Sequence, residues 1–353
     1  MSGPRARLLA WYDQGHRDLP WRREPTPWRV WVSEIMLQQT RVESVIPYFH
    51  RFLARFPDPT TLAAAPLEEV LTLWAGLGYY SRARSLHTAA GQVVERHGGE
   101  IPNDPEAFRA LAGVGPYTCG AVMSIAFGRP EPVVDGNVVR VLCRLDRIEE
   151  DPQAPAVVRH LWRRAGELAA GERPGDLNQA LMELGAVVCR PQNPTCLLCP
   201  LAADCAARAG GCQEALPRKA PRAARPTIQW IAGLARTPEG HVWLARRAGT
   251  GLLGGLWELP AGLTTAPGLT LGAVVATVTH AFTHRVWQIT VHTAEGTPEI
   301  TSDYDDLRAV PADALASVAL SGPGIKALRA AGLAVAHRRG AGSKKVSDSE
   351  EMG

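Results

Sequence analysis

The sequence predicts a two-domain protein, with an all-α domain followed by an α+β domain. A chain of 353 residues is long enough for two domains, and its 46% hydrophobic content can supply a core to each. Between residues 28 and 188 the apolar positions follow helical spacing, and no segment alternates convincingly as a strand does. Strand-like segments begin only after residues 213–226, which contain three prolines and show no periodicity.

These patterns divide the chain into an all-α domain at 1–212, a linker at 213–226, an α+β domain at 227–336 and a disordered Gly/Ser-rich tail at 337–353. After a short helix at 5–13 and an irregular loop at 20–27, Thr26 is placed to cap a helix. We expect the remaining helices of the first domain at 28–40, 45–56, 66–74, 81–96, 104–110, 117–127, 136–145, 155–168 and 176–188. In the second domain we expect two strands around a turn at 237–240, further strands at 274–280 and 286–291, and helical segments at 313–318 and 324–331.

Composition limits the classes of protein that the chain can represent. It has no run of 18 apolar residues and no basic-then-apolar leader, so we expect a soluble, unexported protein without a membrane segment. Residues 1–212 carry 23 arginines and 23 acidic residues, which cancel. Bulk charge therefore does not indicate nucleic-acid binding, and any such binding would depend on local geometry and backbone amides.

Residues 111–137 form the most distinctive stretch of the chain. Gly113, Val114 and Gly115 form a Gly-x-Gly turn, and Pro116 suits the first position of the helix that follows. Backbone N–H groups in such a turn can bind a phosphate. Asp135 lies one helix and one loop later, so it can face whatever the turn holds. A tight turn between two core helices would show the same Gly-x-Gly pattern.

Four of the seven cysteines lie within 17 residues, in the pattern Cys-x6-Cys-x2-Cys-x5-Cys. Clustered cysteines in an intracellular protein more often hold metal than form disulfides. This spacing favours a [4Fe–4S] cluster, with a structural zinc ion as the alternative, because zinc sites usually use two Cys-x2-Cys-type pairs. The four candidate ligands are Cys189, Cys196, Cys199 and Cys205.

Taken together, the 113–115 turn, Asp135 and the cysteine loop resemble the helix-hairpin-helix DNA glycosylases of the endonuclease III superfamily. Within that superfamily, residues 32–40 (Val-Ser-Glu-Ile-Met-Leu-Gln-Gln-Thr) and 74–82 (Trp-Ala-Gly-Leu-Gly-Tyr-Tyr-Ser-Arg) are similar to the MutY family of adenine glycosylases. The resemblance implies an active site between two helical subdomains, with adenine flipped out of the DNA duplex.

The resemblance gives two carboxylates catalytic roles. Glu34 lies in an apolar helix, where burial would raise its pKa and keep it protonated, so that it can act as the general acid. Without the resemblance, a Glu on the solvent-facing side of a helix would be the better interpretation. Asp135 would stabilise the oxocarbenium-like sugar, with Asn137 positioning the site, although a helix N-cap also explains Asp135.

Tyr117 distinguishes the subfamilies. In the bifunctional relatives, a lysine two residues after the second hairpin glycine attacks C1′ as a Schiff-base nucleophile, whereas this sequence has Tyr117. The first 218 residues contain no lysine at all. We therefore expect hydrolysis by water without a lyase step.

The resemblance also implies residues that contact DNA. Gln39 and Tyr79 would wedge into the duplex near the base opposite the target, although either Tyr79 or Tyr80 should belong to the core. Gly113, Val114 and Gly115 would hold phosphates through their amides.

The start of the second domain resembles a Nudix domain at residues 251–260 (Gly-Leu-Leu-Gly-Gly-Leu-Trp-Glu-Leu-Pro). A Nudix hydrolase needs a downstream acidic run for magnesium, but residues 261–281 contain no acidic residue, so we expect no pyrophosphatase activity. The family recognises 8-oxoguanine through a Phe-Ser-His loop, and Phe282, Thr283 and His284 stand at this place. An ordinary hairpin turn would look the same.

The sequence thus predicts a monofunctional glycosylase that removes adenine opposite 8-oxoguanine or guanine in duplex DNA. We expect a cytoplasmic monomer of bacterial type that joins the nucleoid during repair. Two alternatives stay open: a glycosylase of the same fold acting on another mismatch such as T:G, and a non-catalytic lesion-binding protein. The pair of Glu34 and Tyr117 and the second domain argue against the first, and the presence of both carboxylates argues against the second.

Overall fold

The chain divides into two compact units, residues 1–224 and 225–353. The computed structural model describes residues 3–218, 224–249, 251–263, 266 and 268–335. The boundary falls inside the predicted linker, but the first unit continues beyond residue 212. Leu216 is buried and its carbonyl accepts a hydrogen bond from Arg144 Nε at 2.9 Å, so residues 213–218 pack as part of the first unit. The predicted tail from residue 337 lies outside the described residues.

The first unit is all-α, as predicted. In the described ranges it contains thirteen α-helices: α1 (Pro4–Gly15), α2 (Pro20–Arg23), α3 (Pro27–Leu37), α4 (Val42–Arg55), α5 (Pro59–Ala63), α6 (Leu67–Trp74), α7 (Ser81–His97), α8 (Pro105–Arg109), α9 (Pro116–Phe127), α10 (Gly136–Leu145), α11 (Pro155–Ala169), α12 (Pro174–Val187) and α13 (Ala206–Ala209). Every helix expected from periodicity is present. Three short helices were missed: α2, in the segment expected to be an irregular loop, α5 and α13, because four or five residues are too few to show a period.

Four helices position the residues of interest. Thr26 caps α3 by accepting the amide of Arg29 at 3.4 Å, as predicted, and α3 is buried along most of its length. Helix α3 packs against α9, and α9 and α10 both pack against α12. The approach to α9 is close, since a Cβ on Gly120 would lie 2.0 Å from the Pro132 carbonyl oxygen. One residue of α3, the first turn of α9 and the N-terminus of α10 therefore meet beside α12.

The second unit is α+β. Its strands are β1 (Thr227–Ala235), β2 (Val242–Arg247), β3 (Trp257–Glu258), β4 (Ala261–Gly262), β5 (Leu269–Ala281), β6 (Val286–Gly296) and β7 (Tyr304–Val310), followed by α14 (Gly322–Ala330). They form a four-stranded sheet in the order β4-β1-β6-β5, in which β1 and β6 are parallel, and a three-stranded sheet in the order β3-β2-β7.

One expectation for this unit is confirmed and another needs correction. Strands β1 and β2 flank the turn at 237–240 as expected, and the Gly240 amide donates to the Thr237 carbonyl at 2.9 Å. The two strands belong to different sheets, and an isolated bridge joins Arg236 to Val242. The segment expected to be helical at 313–318 contains only a 3-10 turn, Leu315–Ser317. In the described ranges, no helix is long and apolar enough to cross a membrane.

Glu258 organises the core of the second unit. Its carboxylate is buried and accepts hydrogen bonds from Arg247 Nε at 2.7 Å, from the Tyr304 hydroxyl at 3.0 Å and from the Ser321 hydroxyl at 2.9 Å. The guanidinium of Arg247 also lies over the rings of Trp230 and Tyr304. The one acidic residue of the 251–260 motif is therefore committed to the fold.

Candidate active site

The structure brings Glu34 and Tyr117 into direct contact. Glu34 is only 4% exposed, and the Tyr117 hydroxyl donates a hydrogen bond to its Oε2. Burial raises the pKa of Glu34 from 4.5 to about 7; the hydrogen bond from Tyr117 opposes this shift and the nearby charge of Asp135 adds to it. The buried position and raised pKa predicted for Glu34 are confirmed. At neutral pH a large share of the protein therefore carries a proton on Glu34.

Asp135 caps a helix, as one of its two interpretations from the sequence predicts, and it also lies near Glu34. It is the N-cap of α10 and accepts the amide of Val138 at 2.7 Å, while Asn137 Nδ2 donates to its other oxygen at 2.8 Å. Burial raises the pKa of Asp135, but these hydrogen bonds favour the ionised form and oppose the shift. Asp135 also contributes to the electrostatic environment of Glu34. The Asp135 carboxylate that caps α10 is thus also held close to the Glu34 carboxyl.

Tyr117 stays neutral at the site. Burial, followed by the charges of Glu34 and Asp135, raises the pKa of Tyr117 well above 10. Its hydroxyl also lies 3.7 Å from the Met182 sulfur on α12. Tyr117 can therefore donate a proton in a hydrogen bond but cannot act as an ionised nucleophile near neutral pH.

The prediction missed Arg140, which joins this site to the cysteine loop. Its Nη2 donates to Asn137 Oδ1 at 2.8 Å and to the Gly185 carbonyl at 2.7 Å, and its Nε donates to the Cys189 carbonyl at 2.7 Å. Its spacing of three residues from Asn137 on α10 was the only available signal.

The four clustered cysteines, Cys189, Cys196, Cys199 and Cys205, are half-buried thiols. The other three all contribute to the electrostatic environment of Cys199, so the four lie near one another. Arg144 Nη1 donates a hydrogen bond to the Cys189 sulfur at 3.3 Å.

The arrangement of these thiols bears on which metal they fit. Within the described residues, no group of three or more His, Cys, Asp or Glu side chains could hold a metal ion. One zinc ion gathers its ligands about 2.3 Å from a single centre, whereas a cubane cluster spreads four thiolates over four irons. Four neighbouring thiols are the donor set of a [4Fe–4S] cluster, and a single zinc ion also takes four thiolates.

The 113–115 turn joins α8 to α9. Gly113 has φ +74°, and a Cβ there would lie 2.5 Å from Ser85 Cβ, so only glycine fits. The Val114 amide donates to the Leu111 carbonyl at 3.2 Å and its side chain is buried, and phosphate binding at Val114 stays a prediction. The amides of Gly113 and Gly115 stay as candidate donors.

Gly115 has a different reason to be glycine. Its φ is −89°, which any residue adopts, and a Cβ there would meet nothing within 4 Å. Neither backbone strain nor packing within the described part of the chain demands glycine at this position. Close approach of a ligand such as phosphate would explain it.

The two candidate wedge residues share an unusual backbone. Gln39 is exposed with φ +57°, and Tyr79 is 44% exposed with φ +48°, although neither is glycine. Tyr80 is 6% exposed, which confirms that one of the two tyrosines belongs to the core. Residues held in the left-handed region cluster at functional sites.

In the second unit, Phe282, Thr283 and His284 form the turn between β5 and β6, closed by the Phe282 amide donating to the Arg285 carbonyl at 2.8 Å. Phe282 is half-buried and meets the Trp287 ring edge-on at 4.9 Å, while Thr283 and His284 are exposed. The turn therefore exposes the Thr283 hydroxyl and the His284 imidazole, next to the half-buried ring of Phe282.

Comparison with known proteins first defines a class. Residues 32–167 match the HhH-GPD superfamily of base excision DNA repair proteins, and residues 231–330 match the NUDIX domain. A solved structure of a thermostable thymine-DNA glycosylase is similar to 58% of this chain and 95% of its own, at 29% identity and a TM-score of 0.53. The first unit therefore has the helix-hairpin-helix glycosylase fold, and the second is a Nudix domain.

More similar relatives define the family. The chain is 35% identical over 241 residues to the adenine DNA glycosylase of Buchnera aphidicola from Acyrthosiphon pisum, which covers 68% of both chains. It is 41% identical over 307 residues to that of Rattus norvegicus, which covers 72% of this chain and 60% of the rat protein. The chain belongs to the adenine DNA glycosylase family, and it spans less than two thirds of the length of the mammalian relatives that it matches.

Proposed function

We propose that this protein is a monofunctional DNA glycosylase that hydrolyses the N-glycosidic bond of adenine paired with 8-oxoguanine or guanine in duplex DNA. The observation that carries the proposal is the buried Glu34 carboxyl, held by Tyr117 and close to Asp135. The names of the relatives support adenine as the base.

Each residue of the site has one part in the reaction. Adenine enters a dry pocket, where the protonated carboxyl of Glu34 gives its proton to N7 and makes the base a leaving group. The C1′–N9 bond breaks with oxocarbenium character on the sugar, which the Asp135 carboxylate stabilises. Tyr117 and Asn137 hold the two carboxylates in place through their hydrogen bonds. Water then attacks C1′.

The absence of a lyase step follows from the residue at position 117. A Schiff base needs an amine within reach of C1′, but the site presents a neutral phenol there, and residues 1–218 contain no lysine. Borohydride should therefore trap no efficient covalent complex with DNA.

We propose that Cys189, Cys196, Cys199 and Cys205 hold a [4Fe–4S] cluster. When bound, it would order the 189–205 loop against the phosphate backbone and supply no step of the cleavage. An iron determination and the visible absorption of the purified protein test this directly, with zinc as the outcome that contradicts it. Thiolate ligation also supports a reducing, cytoplasmic location.

The second unit is proposed to read the base opposite adenine through Phe282, Thr283 and His284, in a protein that works as a monomer on duplex DNA. The unit is not expected to hydrolyse nucleoside diphosphates. Glu258, the acidic residue of the 251–260 motif, accepts three hydrogen bonds from side chains within the unit, and residues 261–281 supply no carboxylate for magnesium.

Removal of thymine from T:G pairs is the second candidate, favoured by the similarity to the thymine-DNA glycosylase structure. That structure leaves the second unit unmatched, because 95% of its chain aligns with 58% of this one. The matched chain therefore has no counterpart of the unit that is proposed to recognise the base opposite adenine.

One assay separates these functions. Duplexes carrying A:8-oxoG, A:G or T:G are incubated with the protein and treated with alkali, which cleaves the strand wherever a base has been removed. We expect scission at the first two and none at T:G. Glu34→Gln should bind the A:8-oxoG duplex yet lose at least ~100-fold in excision rate, the smallest contribution usual for a general acid. Substantial activity in that variant would remove Glu34 from the role.

A further inference from the structure

One half-buried guanidinium, that of Arg82, contacts the backbone of both segments that carry the wedge residues, the end of α3 before Gln39 and the turn at 77–79. Its Nη1 donates to the carbonyls of Ile35 and Met36 at 2.8 and 2.9 Å and also to the Gln38 carbonyl. Ile35 and Met36 belong to the last turn of α3, whose carbonyls have no partner within the helix. Arg82 thus closes the end of α3 immediately before Gln39.

The other side of the same guanidinium holds the second wedge residue. Its Nη2 donates to the carbonyl of Gly78 at 3.0 Å, and its Nε to the carbonyl of Tyr79 at 3.4 Å. The cation also lies 5.4 Å from the Tyr79 ring centroid. A single planar group therefore joins the turn at 77–79 to the end of α3.

Holding the two wedge residues in this arrangement costs the folded protein free energy in two ways. Gln39 and Tyr79 occupy the left-handed region, which costs a non-glycine residue about 1 kcal/mol or more and persists only where its surroundings hold it. In the described part of the chain no carboxylate pairs with Arg82. Backbone carbonyls, the Thr40 hydroxyl and the rings of Trp74 and Tyr79 surround its charge instead, and burial lowers the pKa of Arg82 to about 10. Lysine could not replace it, because an ammonium lacks the planar fork that reaches both segments.

We propose that Arg82 is a positioning residue that presets Gln39 and Tyr79 as one rigid two-pronged wedge for opening the duplex. The inference rests on the proposed function, because the quantity that Arg82 is expected to change is the rate at which the base is extruded from the duplex. It needs no contact between Arg82 and DNA. Because the two wedge residues are already ordered in the folded protein, their ordering costs no conformational entropy when DNA binds.

The test is a mutant cycle on the full-length protein. Arg82→Ala and Arg82→Lys are each made alone and in a Gln39→Ala/Tyr79→Ala background, with exposed Arg96→Ala on the same helix as the matched control. The duplex carries 2-aminopurine, a fluorescent adenine analogue, opposite guanine, and its fluorescence rise reports extrusion. Single-turnover adenine excision and affinity for a duplex with non-cleavable 2′-fluoroadenosine are measured in parallel.

We expect Arg82→Ala and Arg82→Lys to lower extrusion and excision at least ~10-fold, which corresponds to about 1.4 kcal/mol. In the double-alanine background the further loss should be less than ~2-fold. Arg96→Ala should match the wild type, and the pH dependence of excision should keep its shape. Equal losses in both backgrounds would show that Arg82 acts through general packing or through Glu34, and would overturn the proposal.

Two further results are informative. If circular dichroism shows that Arg82→Ala does not fold, the lysine variant alone decides the matter, and wild-type behaviour of that variant refutes the inference. If the wild type excises no adenine, the proposed function fails, while the extrusion and affinity measurements still test Arg82.

Discussion

Replacing Glu34 by Gln should stabilise the protein at neutral and alkaline pH even though it removes the catalytic acid. The reason lies in where the carboxyl titrates. In the unfolded chain Glu34 ionises near 4.5, whereas burial holds its pKa at about 7 in the folded protein. Between these values the unfolded state releases a proton that the folded state retains, so stability falls as the pH rises.

The size of this effect follows from the two pKa values. At about 1.4 kcal/mol per pH unit, a rise from 4.5 to about 7 costs the folded state about 3 kcal/mol once the pH exceeds 7. No such cost applies below pH 4.5, where both states are protonated. The glutamine side chain of the variant cannot ionise and still offers an oxygen to the Tyr117 hydroxyl. The stability difference between Glu34→Gln and wild type should therefore grow by about 3 kcal/mol from pH 4.5 to pH 8.

Urea denaturation followed by far-ultraviolet circular dichroism measures this difference. Thirteen of the fourteen α-helices in the described residues lie in the first unit, so the helical signal reports the unit that contains Glu34. Exposed Glu95 on α7 provides the matched control, and Glu95→Gln should change stability by less than ~0.5 kcal/mol at every pH. If the difference in unfolding free energy between Glu34→Gln and wild type is the same at pH 5 and pH 8, the raised pKa is refuted, and with it the protonated acid that the mechanism requires.

Three further predictions concern groups that hold the site. Tyr117→Phe removes the donor that stabilises the Glu34 carboxylate, so the alkaline limb of the excision pH profile should move up by about 1 pH unit; an unmoved limb would contradict the contact. Gly113→Ala places a methyl group 2.5 Å from Ser85 Cβ at φ +74°, and should lower the free energy of unfolding in urea by about 2 kcal/mol; wild-type stability would mean that the turn can relax. Glu183→Gln leaves two arginines without their buried partner and should cost about 3 kcal/mol at pH 7, an effect that fades as the pH falls from 4.5 towards the wild-type pKa of about 2; a constant cost across that range would exclude the ionised pair.

Local signals in the sequence were enough for the main elements of the first unit. Thr26 and Asp135 both cap helices as their residue types predict, and Pro116 starts α9. Each of these assignments needs only a few neighbouring residues, because a cap is bonded to the first turn of its own helix. The burial of Glu34 is different, because the residues alone favoured a solvent-facing Glu and only the family resemblance predicted a buried one.

The sequence failed where hydrogen bonds join distant parts of the chain. Strand β1 pairs with β4 and β6, so its partners could not be read from the turn that follows it. The hydrogen bond from the Val114 amide to the Leu111 carbonyl could not be predicted either, because nothing in the neighbouring residues marks that acceptor. Arg82 and Arg140 bond mainly to backbone carbonyls, which every residue possesses, and an acceptor without a side chain leaves no pattern to recognise.

Helix α3 links the chemistry of the site to the opening of the duplex. Glu34 lies in its last turn, and the next two carbonyls, those of Ile35 and Met36, are the ones that Arg82 captures. The position of the acid and the start of the Gln39 turn are thus set by the same helix end. An unstrained, readily ionised Glu34 would be more stable but could not donate a proton at neutral pH, so the cost of burying it follows from its role as the acid.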